Sequence, residues 1–100
     1  SGAQLLSSKE AKEKIKKNNA IVIDVRTQTE WNLGHLKNAK HLPSSNINEK
    51  NANQILGKNK QRNIVVYCNT GQRARRAAEL FKSYGYINVF YIAGTYKSLE

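Results

Sequence analysis

Cys68 is the only cysteine in the chain, and the next arginine, Arg73, leaves four residues between the two. A thiol and a guanidinium so spaced suit nucleophilic chemistry on a small anion: the sulfur attacks and the cation balances charge. Cys68 closes the apolar run Ile64-Val65-Val66-Tyr67, and a short polar turn then leads into a helical pattern. The thiol is thereby placed at the carboxyl end of a strand, facing the N-terminus of the next helix. Backbone N–H groups converge there and the helix dipole is positive, which favours thiolate over thiol. Gly71 is free to take a positive φ, so the amides of Asn69, Thr70, Gly71, Gln72, Arg73 and Ala74 can turn inward as an anion nest. A lone cysteine is more often a small buried hydrophobe. Its position before Asn-Thr-Gly favours the nucleophile. That chemistry requires a sulfur ionised at neutral pH and open to solvent.

A second strand ends in Asp24-Val25-Arg26. In an open parallel sheet the working site lies outside the carboxyl ends of the strands. Asp24, Arg26 and Cys68 are therefore expected on one sheet edge, close together, with Asp24 anchoring loop backbone. Arg73, Arg75 and Arg76 gather in the first turn of the helix after Cys68, where cations oppose the dipole. Such placement costs stability and suggests a use. For Arg75 and Arg76 two uses stay open, plain solvation or drawing anions toward the loop. His35 and His41 have no second ligand at metal spacing, and one cysteine cannot build a structural zinc site, so no metal is expected. His35 is read as a structural hydrogen-bonding residue, His41 as a surface one, and Trp31 as cover for the core. Tyr67 and Tyr91 fit strand packing.

These groups need elements to position them. Ser7-Ser8-Lys9-Glu10 resembles a capping box, opening a helix that ends near Asn18-Asn19. Ile21 to Val25 is β-branched and nearly continuous, the pattern of a strand buried on both faces. Thr27 to Gly34 is polar and holds a helical turn at Thr29 to Asn32. Ala39 to Pro43 reads as a short strand. Ser45 or Asn46 is expected to cap a helix over Ile47 to Leu56, stopped by Gly57. Ile64 to Tyr67 is the third strand. Ala74, Ala77, Ala78, Phe81 and Tyr84 recur at helical spacing, Gly85 suits the position just past the helix, and Asn88 to Ile92 is the last strand. Strands alternating with helices at this pitch predict a small α/β domain with a mainly parallel sheet.

Bulk properties narrow the function. One hundred residues predict one domain, with a core over about residues 4–97. No run approaches the ~20 apolar residues of a bilayer span. Seventeen basic against seven acidic residues give a net charge of +10, which favours anionic partners. The lysines are scattered and no nucleic-acid recognition motif accompanies them, so nucleic acid is not expected on charge alone. One cysteine excludes an intramolecular disulfide. The chain begins Ser1-Gly2-Ala3 and contains no methionine, so its natural start is read as removed; the compartment stays open between cytoplasm and, if an export signal was lost, bacterial periplasm.

Two motif regions together resemble the single-domain rhodanese family of thiosulfate and polysulfide sulfurtransferases, over about residues 4–97. The first is Asp24-Val25-Arg26-Thr27-Gln28-Thr29-Glu30-Trp31-Asn32-Leu33-Gly34-His35-Leu36-Lys37-Asn38-Ala39-Lys40-His41-Leu42-Pro43. The second is Val66-Tyr67-Cys68-Asn69-Thr70-Gly71-Gln72-Arg73-Ala74. The resemblance implies a three-layer α/β domain with about five short parallel strands flanked by helices. It implies that Cys68 takes a sulfane sulfur as a persulfide, held by the amides of Asn69 to Ala74, with Arg73 setting the loop and its potential. Asp24 and Arg26 match largely architectural positions, Glu30 is expected to pair with Arg26, and His35 to hold the turn after Gly34. The chain departs from the family pattern at Asn38, where glycine is usual, at Ala93-Gly94-Thr95, which replaces a Gly-Gly pair, and at Leu99, where tryptophan is common.

The implied partners are a small anionic donor such as thiosulfate or polysulfide and an acceptor that is cyanide, a thiol or a protein. No cofactor beyond the Cys68 persulfide is expected, and the chain is expected to act as a monomer. The alternatives are a non-catalytic rhodanese-like binding module, a small cysteine phosphatase or arsenate reductase, and a carrier in tRNA or cofactor thiolation. Cysteine phosphatases place five residues between Cys and Arg to wrap a phosphate. The smaller ring here suits an extra sulfur better.

Overall fold

The computed structural model describes residues 2–100. Five strands form one all-parallel sheet: β1 (Gln4–Leu6), β2 (Ile21–Asp24), β3 (Lys40–His41), β4 (Asn63–Tyr67) and β5 (Asn88–Ile92), in the order β1-β5-β4-β2-β3. Four strands match the sequence reading. The fifth, β1, is three residues long, too short for any period to show, and exists because it pairs with Phe90 to Ile92 of β5. The helices are α1 (Ser8–Lys17), α2 (Gln28–Leu33), α3 (Glu49–Leu56) and α4 (Gln72–Ser83).

The pleat splits the strand residues between two cores. Ile23, Val25, Ile64, Val66 and Cys68 meet Ala52 and Leu56 of α3 and Ala74, Ala77, Ala78 and Phe81 of α4. Val22, Val65, Tyr67, Phe90 and Ile92 meet Ala11 of α1 and Leu99, which closes the chain's end in a short 3-10 turn (Tyr96–Leu99). Alternate residues of a strand face opposite sides of a sheet. Central strands buried on both faces therefore read as continuous apolar runs, as β2 and β4 do.

Local chemistry sets the helix ends. Ser7 caps α1 through a full capping box with Glu10, as the sequence predicts. The cap of α3 differs from the expectation. Ser44–Asn46 forms a 3-10 turn, Ile47 is extended and packs on the core, and Asn48 is the cap, its Oδ1 accepting from Asn51 N at 2.8 Å. Packing Ile47 against the core delays the start of the helix from Ile47 to Glu49. Asn38 takes φ +70°, a left-handed conformation that asparagine tolerates better than most residues, which accounts for a non-glycine there.

Candidate active site

Cys68 follows β4 directly, and its parity with Ile64 and Val66 turns it toward α3 and α4. The next five residues carry the chain into α4. Gly71 takes φ +94° and caps that helix. Its N–H donates to Cys68 Sγ at 3.1 Å. A Cβ at Gly71 would lie 3.0 Å from Ala93 Cα, so a side chain there is strained by conformation and crowded against backbone. We expect Gly71→Ala to cost about 1–3 kcal/mol of stability, read by thermal melts.

The loop is held at both ends by one carboxylate. Glu30 Oε1 accepts from Arg73 Nη1 at 2.7 Å, and Glu30 Oε2 from Arg73 Nη2 at 3.0 Å and from Asn69 Nδ2 at 2.6 Å. The fork of Arg73 meets the carboxylate in bidentate fashion, the strong form of this contact. Glu30 Oε1 also accepts from Thr27 N at 2.9 Å, and Thr27 Oγ1 accepts from Glu30 N: α2 begins with a capping box. One residue thus caps its own helix and clamps the loop. The expected partner Arg26 is not its partner, because Arg26 is already engaged by Asp24.

Hydrogen bonds from Arg73, opposed in part by burial and supported by Thr27, hold the Glu30 carboxyl at about 2, below its ordinary 4.5. The same contact raises the Arg73 pKa, with Cys68 and Asp24 as smaller electrostatic contributors. A carboxyl with a lowered folded pKa lends stability that is complete above its unfolded value and lost as pH falls through the folded one. The clamp's contribution is therefore full above about pH 4.5 and fades toward pH 2. The melting temperature of wild type should exceed that of Glu30→Gln at pH 6, and the two should converge between pH 4.5 and 2; a constant gap would exclude the clamp.

Asp24 and Arg26 do not reach the thiol. Asp24 is in register with Tyr67 in the neighbouring strand, so both side chains take the α1 face, while Cys68 takes the other. The sheet edge is shared; the sheet face is not. There Asp24 and Arg26 form a buried ion pair at 2.8 Å, with Arg26 Nε donating to both carboxylate oxygens. Asp24 Oδ1 also accepts from Arg26 N at 2.8 Å, which confirms the expected anchoring of loop backbone. Burial disfavours the Arg26 charge, but the hydrogen bonds and charge of Asp24 outweigh it and the pKa rises. The guanidinium lies over the Tyr67 and Tyr96 rings, 5.6 and 5.1 Å from their centroids. It also donates to Gly34 O at 2.6 Å. That bond fixes the end of α2, the helix that carries Glu30. The Tyr67 hydroxyl accepts from Leu36 N at 3.1 Å, and burial first, then Asp24, pushes its pKa up.

The remaining residues fall into place around α2. His35 Nδ1 lies 2.9 Å from Trp31 O and must donate to it, holding the turn as expected. Trp31 does not cover the core. Its ring stacks with His35, at 3.4 Å between centroids, and with His41, at 4.6 Å. His41 is half-buried, not a free surface residue, and its Nε2 donates to Arg26 O at 2.7 Å. Thr70 and Gln72 are exposed at the loop's outer side. Among the described residues no group of three or more His, Cys, Asp or Glu is placed to hold a metal.

Cys68 itself is 0% exposed. The expectation of a thiol open to solvent is not met: Gly71 closes over the sulfur and the Glu30 clamp holds the loop down. The sequence did not register this because loop closure depends on Glu30, thirty-eight positions earlier. The contacts of Tyr67 with Leu36 and of His41 with Arg26 likewise join positions far apart in sequence. The signal for the Glu30 cap was present, as Thr27-Gln28-Thr29-Glu30 has the spacing of a capping box.

The family model of the rhodanese-like domain matches residues 7–100. The tRNA uridine(34) hydroxylase of Hamiltonella defensa is 33% identical over 93 residues, 91% of this chain and 26% of that protein. That of Yersinia enterocolitica is 34% identical over 76 residues, 74% of this chain and 22% of that protein. The chain thus spans about a quarter of the length of these curated relatives. Among solved structures, the human single-domain sulfurtransferase TSTD1 matches with a TM-score of 0.76 at 23% identity, covering 97% of this chain and 95% of that one. The Saccharomyces cerevisiae single-domain sulfurtransferase RDL2 matches with a TM-score of 0.72 at 18% identity, covering 99% and 89%. At these identities the structures share the fold.

Proposed function

The chain belongs to the rhodanese-like domain family, and from that premise we propose that it moves a sulfane sulfur from an anionic donor to a thiophilic acceptor through a persulfide on Cys68. One observation carries this reading: Gly71 N–H donates to Sγ from a loop with four residues between Cys68 and Arg73, clamped at both ends by Glu30. A ring smaller than that of the cysteine phosphatases suits an added sulfur better than a phosphate.

With thiosulfate, the Cys68 thiolate attacks the outer sulfur. The S–S bond of the donor breaks, its electron pair leaves on sulfite, and a persulfide anion remains on Cys68. An acceptor thiolate or cyanide then attacks the terminal sulfur and the bonding pair returns to Cys68. Charge moves between sulfur atoms, so N–H donors and Arg73 supply what the steps need. No metal or organic cofactor enters either step. Because the sulfur is buried at rest, the loop must part for the donor. It gives at Thr70, which is exposed and lies between the tied residues Asn69 and Gly71.

Incubation with thiosulfate or inorganic polysulfide should add the mass of one sulfur to the protein, with one sulfite released per thiosulfate consumed. Protein that gains no sulfur from either donor would refute the reading.

A second reading has its own support. The relatives are named for action on tRNA uridine 34, and this chain carries a net charge of +10. On that reading the domain is part of an RNA-acting protein and its basic surface meets tRNA. Retention of tRNA that weakens steeply with salt would favour it, and no retention at low salt would remove it.

A further inference from the structure

Resting on the sulfur-transfer reading, we propose that the outer groove of α4 docks an acidic protein segment that brings its acceptor thiol to the Cys68 persulfide. The groove encloses about 730 Å³ and is lined by Gln72, Arg75, Arg76, Glu79, Leu80 and Ser83. It begins at Gln72, adjacent to Gly71, whose amide holds Sγ at 3.1 Å. A segment lying in it therefore ends at the reactive loop.

Its charge selects the occupant. Arg75 and Arg76 are exposed, and among the described residues neither joins an ion pair. Both stand near the N-terminus of α4, whose dipole opposes them. Glu79 also lines the groove but forms no ion pair with either arginine among the described residues. Its carboxylate is turned to Ala3 N, from which it accepts at 2.8 Å, so the arginines keep the excess of charge. Leu80, 40% exposed, offers one apolar anchor. The combination of two free arginines around an exposed leucine is complementary to a segment rich in Asp and Glu with one apolar residue. No aromatic side chain lines the groove, so nucleic-acid bases have no platform to stack on, and a protein is favoured over RNA. In the transfer, the acceptor thiolate attacks the terminal sulfur of the persulfide. The Cys68 S–S bond breaks, its electron pair stays on Cys68, and the acceptor leaves as the persulfide.

The test loads Cys68 with thiosulfate and follows unloading by dithiothreitol and by two short synthetic peptides, each with one cysteine and one leucine, one rich in Asp and Glu and the other in Lys. The acidic peptide should act with a kcat/KM at least about tenfold above the basic one, and salt should erase the advantage. The double variant Arg75→Glu/Arg76→Glu should lose about tenfold with the acidic peptide and stay within about twofold with dithiothreitol. Leu80→Ala, the milder change, should lose severalfold with the acidic peptide alone. Equal rates for the two peptides, an equal loss with dithiothreitol, or an RNA oligonucleotide that competes as well as the acidic peptide would each overturn the proposal. If Cys68 never loads, the sulfur-transfer reading fails by itself. Fluorescence anisotropy of a labelled acidic peptide on the unloaded protein then decides the groove: binding lost in the double variant supports it, and no binding to wild type sinks it.

Discussion

Cys68→Ser should yield a folded protein that takes up no sulfur from thiosulfate or polysulfide, with turnover reduced more than about 10³-fold. Serine differs from cysteine by one atom and fits the same space. Its hydroxyl can accept from Gly71 N–H as the sulfur does, so the loop keeps its central tie and the Glu30 clamp is untouched. What disappears is the soft, polarisable nucleophile, since a serine hydroxyl at this place has no base beside it. The described side chains around the loop, Glu30, Asn69 and Arg73, are engaged with one another. Intact mass after donor exposure, sulfite release and a melting curve together decide the outcome. Equal sulfur gain by variant and wild type would remove Cys68 from the chemistry. A protein that loses activity because it is unfolded would show itself in the melt.

The largest effect on stability is expected at Asp24→Ala, with a loss of about 3–5 kcal/mol. Asp24 and Arg26 are both buried, and the pair is worth less than its charges suggest because each gave up water. Removing one partner is costly, for it leaves the other charged and unsolvated. In a domain of this size each kcal/mol moves the melting temperature by about 4–8 °C, so the change is easily measured. Activity per folded molecule should fall too. Arg26 holds Gly34 O and so the end of α2, and α2 carries Glu30 to the loop. The double replacement Asp24→Leu/Arg26→Met should recover part of the stability, because no orphan charge remains. A double variant less stable than the single one would show that specific hydrogen bonds, not the uncompensated charge, dominate.

Much of the architecture was legible because it is written in local patterns. Ile21 to Val25 and Ile64 to Tyr67 are short apolar runs rich in β-branched residues, and Ala74, Ala77, Ala78 and Phe81 recur at the helical period; each pattern needs only its own window of sequence. The placement of Cys68 was legible for the same reason, since a lone cysteine between a strand and a helix start is a local signal. Strand β1 was not, because three residues carry no period and the strand exists only by pairing with β5. The cap of α3 slipped from Ser45 or Asn46 to Asn48 because burying Ile47 outweighed local capping preference.

The sequence by itself determined that a single thiol would stand at a strand's carboxyl end, under the first amides of a helix, with four residues between it and an arginine. It also set the strong positive charge and the two further arginines, Arg75 and Arg76, beyond it. Only the tertiary structure decided who would be whose partner. Asp24 and Cys68 lie on one edge yet face opposite sides, because the pleat reverses a side chain at every step and register pairs Asp24 with Tyr67. Glu30 reaches Arg73 and Asn69 across forty-three and thirty-nine positions, leaving Arg26 to Asp24. Such choices depend on distances in space that no stretch of neighbouring residues encodes. That is also why the sulfur, exposed by expectation, is covered in the folded protein.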